Sequence, residues 1–256
     1  MKRNLIPALT AFFIMSFCFP ALARQTRDDV LSQFVVAGVS YKDGKYEEAA
    51  KILEGLLSNG LHSGNIYYNL GNCYVKAGHL GKAVLSYERA KRLIPRDSDL
   101  NANLRYALSL VKNGGYEGER SRYFMATPLD ALGGLLTKSE MAGFLAILFI
   151  MMGAFHLASL YLSFSKNMVR YGMAGVLVML VFLSAGFIYK AQLELHSSIV
   201  IQDTASYFEP RDDATVHYEL YEGMKISIVE RASSWLKVKR GDGKMGWVKS
   251  SALEEI

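Results

Sequence analysis

Side chains able to do covalent, acid–base or metal chemistry are sparse in this sequence, and they do not gather. The two cysteines, Cys18 and Cys73, lie far apart, and the five histidines (His62, His79, His156, His196, His217) are scattered. No metal-ligand spacing, phosphate-cradling glycine loop, G-x-S-x-G elbow or Cys/His dyad occurs. His62, His79 and His217 fall in or near expected turns, and the aspartates cluster in turns and caps. The expectation is therefore no catalytic residue, no metal and no cofactor: not an enzyme, but a protein that works by binding. Cys73 sits mid-helix in a packed region, where a small buried hydrophobe is expected rather than a reactive thiol. The formal charge of +5 comes without a dense Lys/Arg stripe interleaved with aromatics, which argues against nucleic acid.

The hydrophobic fraction of 51% is high for a soluble protein. At the N-terminus, Lys2 and Arg3 form a basic start, Leu5 to Phe19 an apolar stretch and Ala21-Leu22-Ala23 a small-residue cleavage signal. Residues 1–23 thus read as a secretory signal peptide. Its removal would take away Lys2, Arg3 and Cys18, leaving one thiol and no internal disulfide. Two further apolar runs, residues 141–164 and 171–189, contain no Lys, Arg, Asp or Glu. At 1.5 Å per residue they reach ~36 and ~28 Å, enough for two transmembrane helices. Thr137-Lys-Ser-Glu140 has the pattern of a capping box at the start of the first. The intervening residues 165–170 carry Lys166 and Arg170 and no acid, as the positive-inside rule expects of a cytoplasmic loop. Export of the N-terminal part agrees, so both flanking regions are expected outside, with Lys138 and Lys190 at the outer flanks. His156, the one readily ionisable side chain within the first span, reads as a helix-contact residue, a proton relay being the alternative.

Residues 24–112 repeat with a 34-residue period: Gly44, Tyr46, Ala49 and Leu53 become Gly78, Leu80, Ala83 and Tyr87. In the second copy Tyr67, Leu70, Gly71, Tyr74, Gly78, Ala83, Tyr87, Ala90 and Pro95 resemble the signature of the tetratricopeptide repeat, a helix–turn–helix unit. Gly71 and Ala83 suit a close helix approach, Gly78 a helix end and Pro95 a stop. The first copy is weaker, with Ala37 and Ser40 where the second has Gly71 and Tyr74. Residues 97–112 read as a capping helix after two repeats. The resemblance implies a peptide-binding concave face lined by first helices: Phe34, Tyr41, Lys42, Asn65, Tyr68, Asn72 and Lys76, with Tyr106 from the cap. Any of these could equally fill helix contacts. A basic clamp for terminal carboxylates is not expected, since Asp99 and Ala102 stand on the cap. Residues 113–140 form a linker and juxtamembrane segment. The cluster Arg89, Lys91, Arg92, Arg96 could face anionic lipid or simply solvent.

From residue 198 to 256 the pattern becomes alternating strands. Trp235 to Arg240 alternates, Gly241-Asp242-Gly243 is a hairpin signal, and Met245 to Lys249 follows. Gly223, Trp235, Val238, Gly243, Gly246-Trp247-Val248 and Ser251-Ala252-Leu253 resemble the bacterial SH3-like domain, which implies a small barrel. Its candidate ligand rim is Tyr207, Phe208, Tyr218 and Tyr221, with Trp235 and Trp247 as platform or core. Residues 207–211 depart from the segment many relatives carry at this place.

The expected architecture is a multidomain membrane protein: an all-α tetratricopeptide solenoid, two transmembrane helices and a small all-β SH3-like barrel. This order resembles the Bat proteins of the bacterial aerotolerance operon. That resemblance implies a scaffold in the inner membrane with both soluble modules in the periplasm. Its implied partners are von Willebrand-A-domain Bat proteins and, indirectly, a MoxR-type ATPase. The alternative expectation is peptidoglycan binding or sensing through the SH3-like domain.

Overall fold

The computed structural model describes residues 29–112, 136–161 and 165–256. The signal-peptide reading and most of the linker lie outside these residues.

Five helices come first: α1 over 29–42, α2 Tyr46–Ser58, α3 Gly64–Ala77, α4 Leu80–Leu93 and α5 Ser98–Leu110. Their ends follow from local chemistry. The Ser63 hydroxyl accepts the Ile66 N–H at the start of α3, and Asp97 accepts from Leu100 at the start of α5. Gly78 closes α3 with φ +84°, a left-handed conformation that needs no Cβ, and its N–H and that of His79 return to Val75 and Tyr74. At Gly71 an added Cβ would come 2.5 Å from the Tyr87 ring, so the absence of a side chain sets how closely α3 and α4 approach. Ala49, Leu53, Leu70, Ala83, Tyr87, Leu100 and Leu104 are buried between the helices.

Two long helices follow, α6 Lys138–Tyr161 and α7 Lys166–Leu195, packed as a hairpin. The capping box is formed: Thr137 N–H donates to the Glu140 carboxylate at 2.9 Å, and Glu140 N–H donates to the Thr137 hydroxyl at 3.1 Å. Both helices are long and apolar enough to cross a membrane. Their outward side chains, Phe149, Ile150, Leu160 and Val178 among them, are exposed rather than packed within the protein. Ser165 caps α7 by accepting the Met168 N–H, so Lys166 and Arg170 belong to the start of the helix rather than to a loop. At its other end α7 runs on through Leu195, past the expected boundary at residue 189, and β1 begins at Ser197.

The strands are β1 Ser197–Val200, β2 Thr204–Tyr207, β3 Val216–Leu220, β4 Lys225–Ala232, β5 Trp235–Lys239, β6 Met245–Lys249 and β7 Leu253–Glu255. They form one antiparallel sheet in the order β3-β2-β6-β5-β4-β1-β7. The expectation of a closed barrel is corrected here. The end strands β3 and β7 do not pair with each other, so the sheet stays open. The β7 edge is covered instead by α4: Arg89 donates to the Glu255 carbonyl at 2.6 Å, and Arg92 to the Ile256 carbonyl. A covered edge has less need to close on itself.

That contact is part of a larger seam. The buried hydrophobic core is continuous between helices and sheet, running from Val84 and Val111 to Val200, Met224 and Ile226. Two glycines permit it. A Cβ on Gly81 would lie 2.6 Å from the Val200 carbonyl oxygen, and one on Gly223 would lie 2.7 Å from Val111. Gly81 N–H donates to Glu222 at 2.6 Å, and Lys225 reaches the buried Glu88 carboxylate at 2.7 Å.

Candidate functional site

The candidate residues on the helical repeats divide into two sets. Lys42, Asn65, Lys76 and Tyr106 are exposed, whereas Phe34, Tyr41, Tyr68 and Asn72 are half-buried. Asn72 accepts from the Tyr87 hydroxyl at 2.7 Å and from the Asn103 amide at 2.9 Å, and the same amide donates to Tyr68 at 3.2 Å. This network ties α3 to α4 and α5, so Tyr68 and Asn72 brace the floor of the face. Tyr41 makes an edge contact with Tyr46, 5.3 Å between ring centres, at the α1–α2 turn. Asn103 was not among the residues expected here; its signal was its position, one helical turn before Tyr106 on the face of the cap that meets α3.

The outer face, α4, is occupied by the sheet. Burial works to raise the Glu88 carboxyl, but Lys225, with Lys91 and Arg92 behind it, outweighs burial and holds it below the usual carboxylate range. Arg89 pairs with Glu254 at 3.0 Å, while Arg92 donates to the Glu194 carbonyl at 3.0 Å. Arg96 pairs with Glu140 at the start of α6. These arginines thus join the repeats to the sheet and to the helical hairpin. Glu194, with its side chain 12% exposed, also meets Lys138 at 2.7 Å and Lys190 at 3.9 Å. The repeats and the sheet consequently sit together at one end of the hairpin.

On the sheet the six aromatic candidates do not form one rim. Tyr207 meets Trp235 edge-on at 5.5 Å and lies opposite Trp247 in the β2–β6 register. Trp235 is only 8% exposed. Lys249 stands over the Trp235 ring and Lys237 over the Trp247 ring, at 5.7 and 5.6 Å. Phe208 is exposed and lies tilted against His217, 4.1 Å between ring centres. Tyr218 is buried beneath Arg240, and Tyr221 lies at the seam beside Lys112.

Reactive groups remain dispersed. His62 bonds Tyr67 at 2.8 Å, His79 pairs with Glu47 at 3.0 Å, and His156 lies on the exposed side of α6. Burial pushes the Cys73 thiol up to about 11, in keeping with a packing role. Among the described residues no three His, Cys, Asp or Glu side chains group to hold a metal ion.

Two family models match parts of this chain. A tetratricopeptide repeat model matches residues 64–97, and a bacterial SH3 domain model matches residues 205–255. Both families are typically non-catalytic; the first points to protein partners and the second to the cell wall. Among curated proteins the chain is similar to Tetratricopeptide repeat protein 16 of Homo sapiens, 31% identical over 83 residues. That similarity covers 32% of this chain and 9% of the relative, so the chain spans only a small part of that relative's length.

Proposed function

We propose that the protein is a non-enzymatic inner-membrane scaffold whose repeat groove holds a segment of a partner protein in the periplasm. The observation that carries this reading is the placement of the sheet on α4. A tetratricopeptide solenoid has an outer face and a concave face, and here the outer one is taken by the chain's own SH3-like part. Lys42, Asn65, Lys76 and Tyr106 remain exposed on the first-helix side. Asparagine can bond extended backbone, lysine attracts carboxylates, and an exposed tyrosine offers flat contact area at low entropic cost.

Orientation is argued from charge. Lys138 and Lys190 at the outer flanks share Glu194, whereas Lys166 and Arg170 stand at the opposite end of the hairpin with no acidic residue between Ser165 and Arg170. Two basic residues and no acid in so tight a turn suit a cytoplasmic placement, and export of the N-terminal part by the expected signal peptide gives the same orientation. The overall order resembles BatE of the aerotolerance operon, which suggests von Willebrand-A-domain Bat proteins as partners, with a MoxR-type ATPase acting indirectly.

The test is photo-crosslinking in intact cells from probes at Asn65 and Tyr106. Defined envelope proteins should be captured there, and Lys76→Glu should reduce capture without changing membrane insertion. Equal capture from a probe at Lys91, on the outer helix, would remove the groove from consideration. A second reading, peptidoglycan binding, is favoured by the bacterial SH3 match and by Tyr207, Trp247 and Lys237 lying side by side. Retention of the full detergent-solubilised chain on purified sacculi supports it, and passage without retention retires it.

A further inference from the structure

Ser198 is a buried hydroxyl with nothing to bond. It lies in β1, is 0% exposed, and its Oγ has no hydrogen-bond partner in the protein. Burying an unpaired hydroxyl is unfavourable, and native interiors seldom keep one without a reason. The reason lies beside it. Ser198 lines a cleft of about 410 Å³ between α4 and the β1–β7 end of the sheet, within the size range of small-molecule sites. The aromatic set Tyr207, Trp235 and Trp247 does not line this cleft.

Each wall offers a different group. Ser198 stands directly opposite Glu255 in the β1–β7 register, so hydroxyl and carboxylate share a face. Arg231 holds that carboxylate at 2.6 Å, and both side chains of the pair are more than half exposed. From the helix side Arg89 pairs with Glu254 at 3.0 Å. Leu236 and Leu253, both buried, supply an apolar wall. Ser233 adds a hydroxyl from the β4–β5 turn, where its φ of +51° is a left-handed conformation that favours glycine. A simple anion here would meet Glu254 and Glu255, and a simple cation would meet Arg89 and Arg231. A neutral ligand gains nothing by opening either pair. A zwitterion does: its carboxylate can take Arg231 while its ammonium takes Glu255. That exchange leaves no charge unpaired, and the pair it opens is an exposed one of the kind that holds weakly.

We propose that this cleft binds a short aliphatic peptide with both ends free, a dipeptide zwitterion. Its carboxylate lies on Arg231, its ammonium on Glu255 and its aliphatic side chain on Leu236 and Leu253. The peptide group between the two ends gives the Ser198 hydroxyl its missing partner. A single amino acid, whose polar ends are both taken by the charges, has no such group. The site is separate from the repeat groove and from the aromatic side of the sheet, and it does not rest on what either of them holds. Arg89 comes from the repeats and the other lining groups from the sheet, so a bound peptide sits across the seam and stabilises it by mass action.

The experiment is calorimetric titration of the full chain in detergent micelles with the dipeptide Ala-Leu. Saturable binding is expected. N-acetylation of the peptide should weaken it at least about 10-fold, and C-terminal amidation likewise, since each removes one charged contact. Ser198→Ala should weaken binding about 10-fold while leaving the thermal midpoint of the free chain unchanged or higher, because the hydroxyl it removes is unpaired there. Arg231→Gln should weaken binding to a similar degree, whereas Lys237→Ala, beside Trp247, should leave it intact. Heat that never saturates with Ala-Leu overturns the site. Equal binding of the two blocked peptides overturns the zwitterion in favour of a general peptide surface. Full affinity in Ser198→Ala means that the hydroxyl meets water only, and overturns the assignment. A loss confined to Lys237→Ala moves the peptide to the aromatic side of the sheet and overturns it as well.

Discussion

Glu88 shows how a single residue binds two domains. It lies on the helix face that a free-standing repeat would expose, yet it is buried, and its stability depends on Lys225 reaching across the seam. Removing Lys225 leaves a buried carboxylate without its hydrogen-bonded partner, a cost of about 3 kcal/mol that Lys91 and Arg92 offset only in part. Lys225→Met should therefore destabilise the helix–sheet unit by that amount in urea unfolding, while the double change Glu88→Leu, Lys225→Met should recover most of it. The pH dependence has a definite sign. A carboxyl held below its ordinary range contributes stability that is fully present above the usual carboxylate pKa. That contribution disappears as pH falls through the depressed value. Unfolding followed between pH 7 and pH 3 should show this acid loss in the native chain and a shallower one in Glu88→Gln.

At the scale of elements, the seam between α4 and β1 depends on closeness that only glycine allows at position 81. A Cβ there meets backbone at Val200 and Ile201, neither of which can swing aside as a side-chain end could. Gly81→Ala should cost about 1–3 kcal/mol by overpacking, even though alanine is the better helix former. The two tryptophans, Trp235 and Trp247, both lie in the sheet, so their fluorescence follows the sheet while far-UV circular dichroism is dominated by helices. With a shared core the two signals should change at one urea concentration in the native chain. In Gly81→Ala they should separate. Coincident transitions in both proteins would mean that the seam is not the weak joint.

Across the whole molecule, Arg92 and Arg96 fasten the repeats to one end of the hairpin, and the sheet follows directly from that same end of α7. Only His196 separates α7 from β1, leaving little slack between span and sheet. At the other end, Lys166 and Arg170 sit by the N-terminus of α7, where the helix dipole disfavours positive charge. Helix stability therefore does not account for them, whereas the proposed cytoplasmic placement of this turn would. A labelling site at Asn167 should accordingly stay closed to impermeant reagents in intact spheroplasts, with sites at Lys76 and Phe208 open. Labelling of Asn167 from outside would invert the proposed orientation.

Much of the fold was legible because it depends on short-range order. The 34-residue period, the Gly78 helix end, the Thr137–Glu140 cap and the two apolar runs are each set by residues within a few turns of one another, where geometry leaves a periodic trace. Even Gly71 announced a close approach, and the Tyr87 ring fills it. The site was only partly legible: residue type marked Asn72 and Tyr68 as polar lining, but not that Asn103 and Tyr87 engage them. Trp235 read as platform or core and Tyr218 as exposed rim, yet Tyr218 is buried, because alternation assigns a face, not what covers it. The seam was invisible. Gly81 and Glu222 are 141 positions apart, Glu88 and Lys225 137, and no local pattern encodes which distant surface a glycine is small for. Only the tertiary arrangement could turn a charged outer helix into an internal contact, and with it decide which face of the repeats is left for a partner.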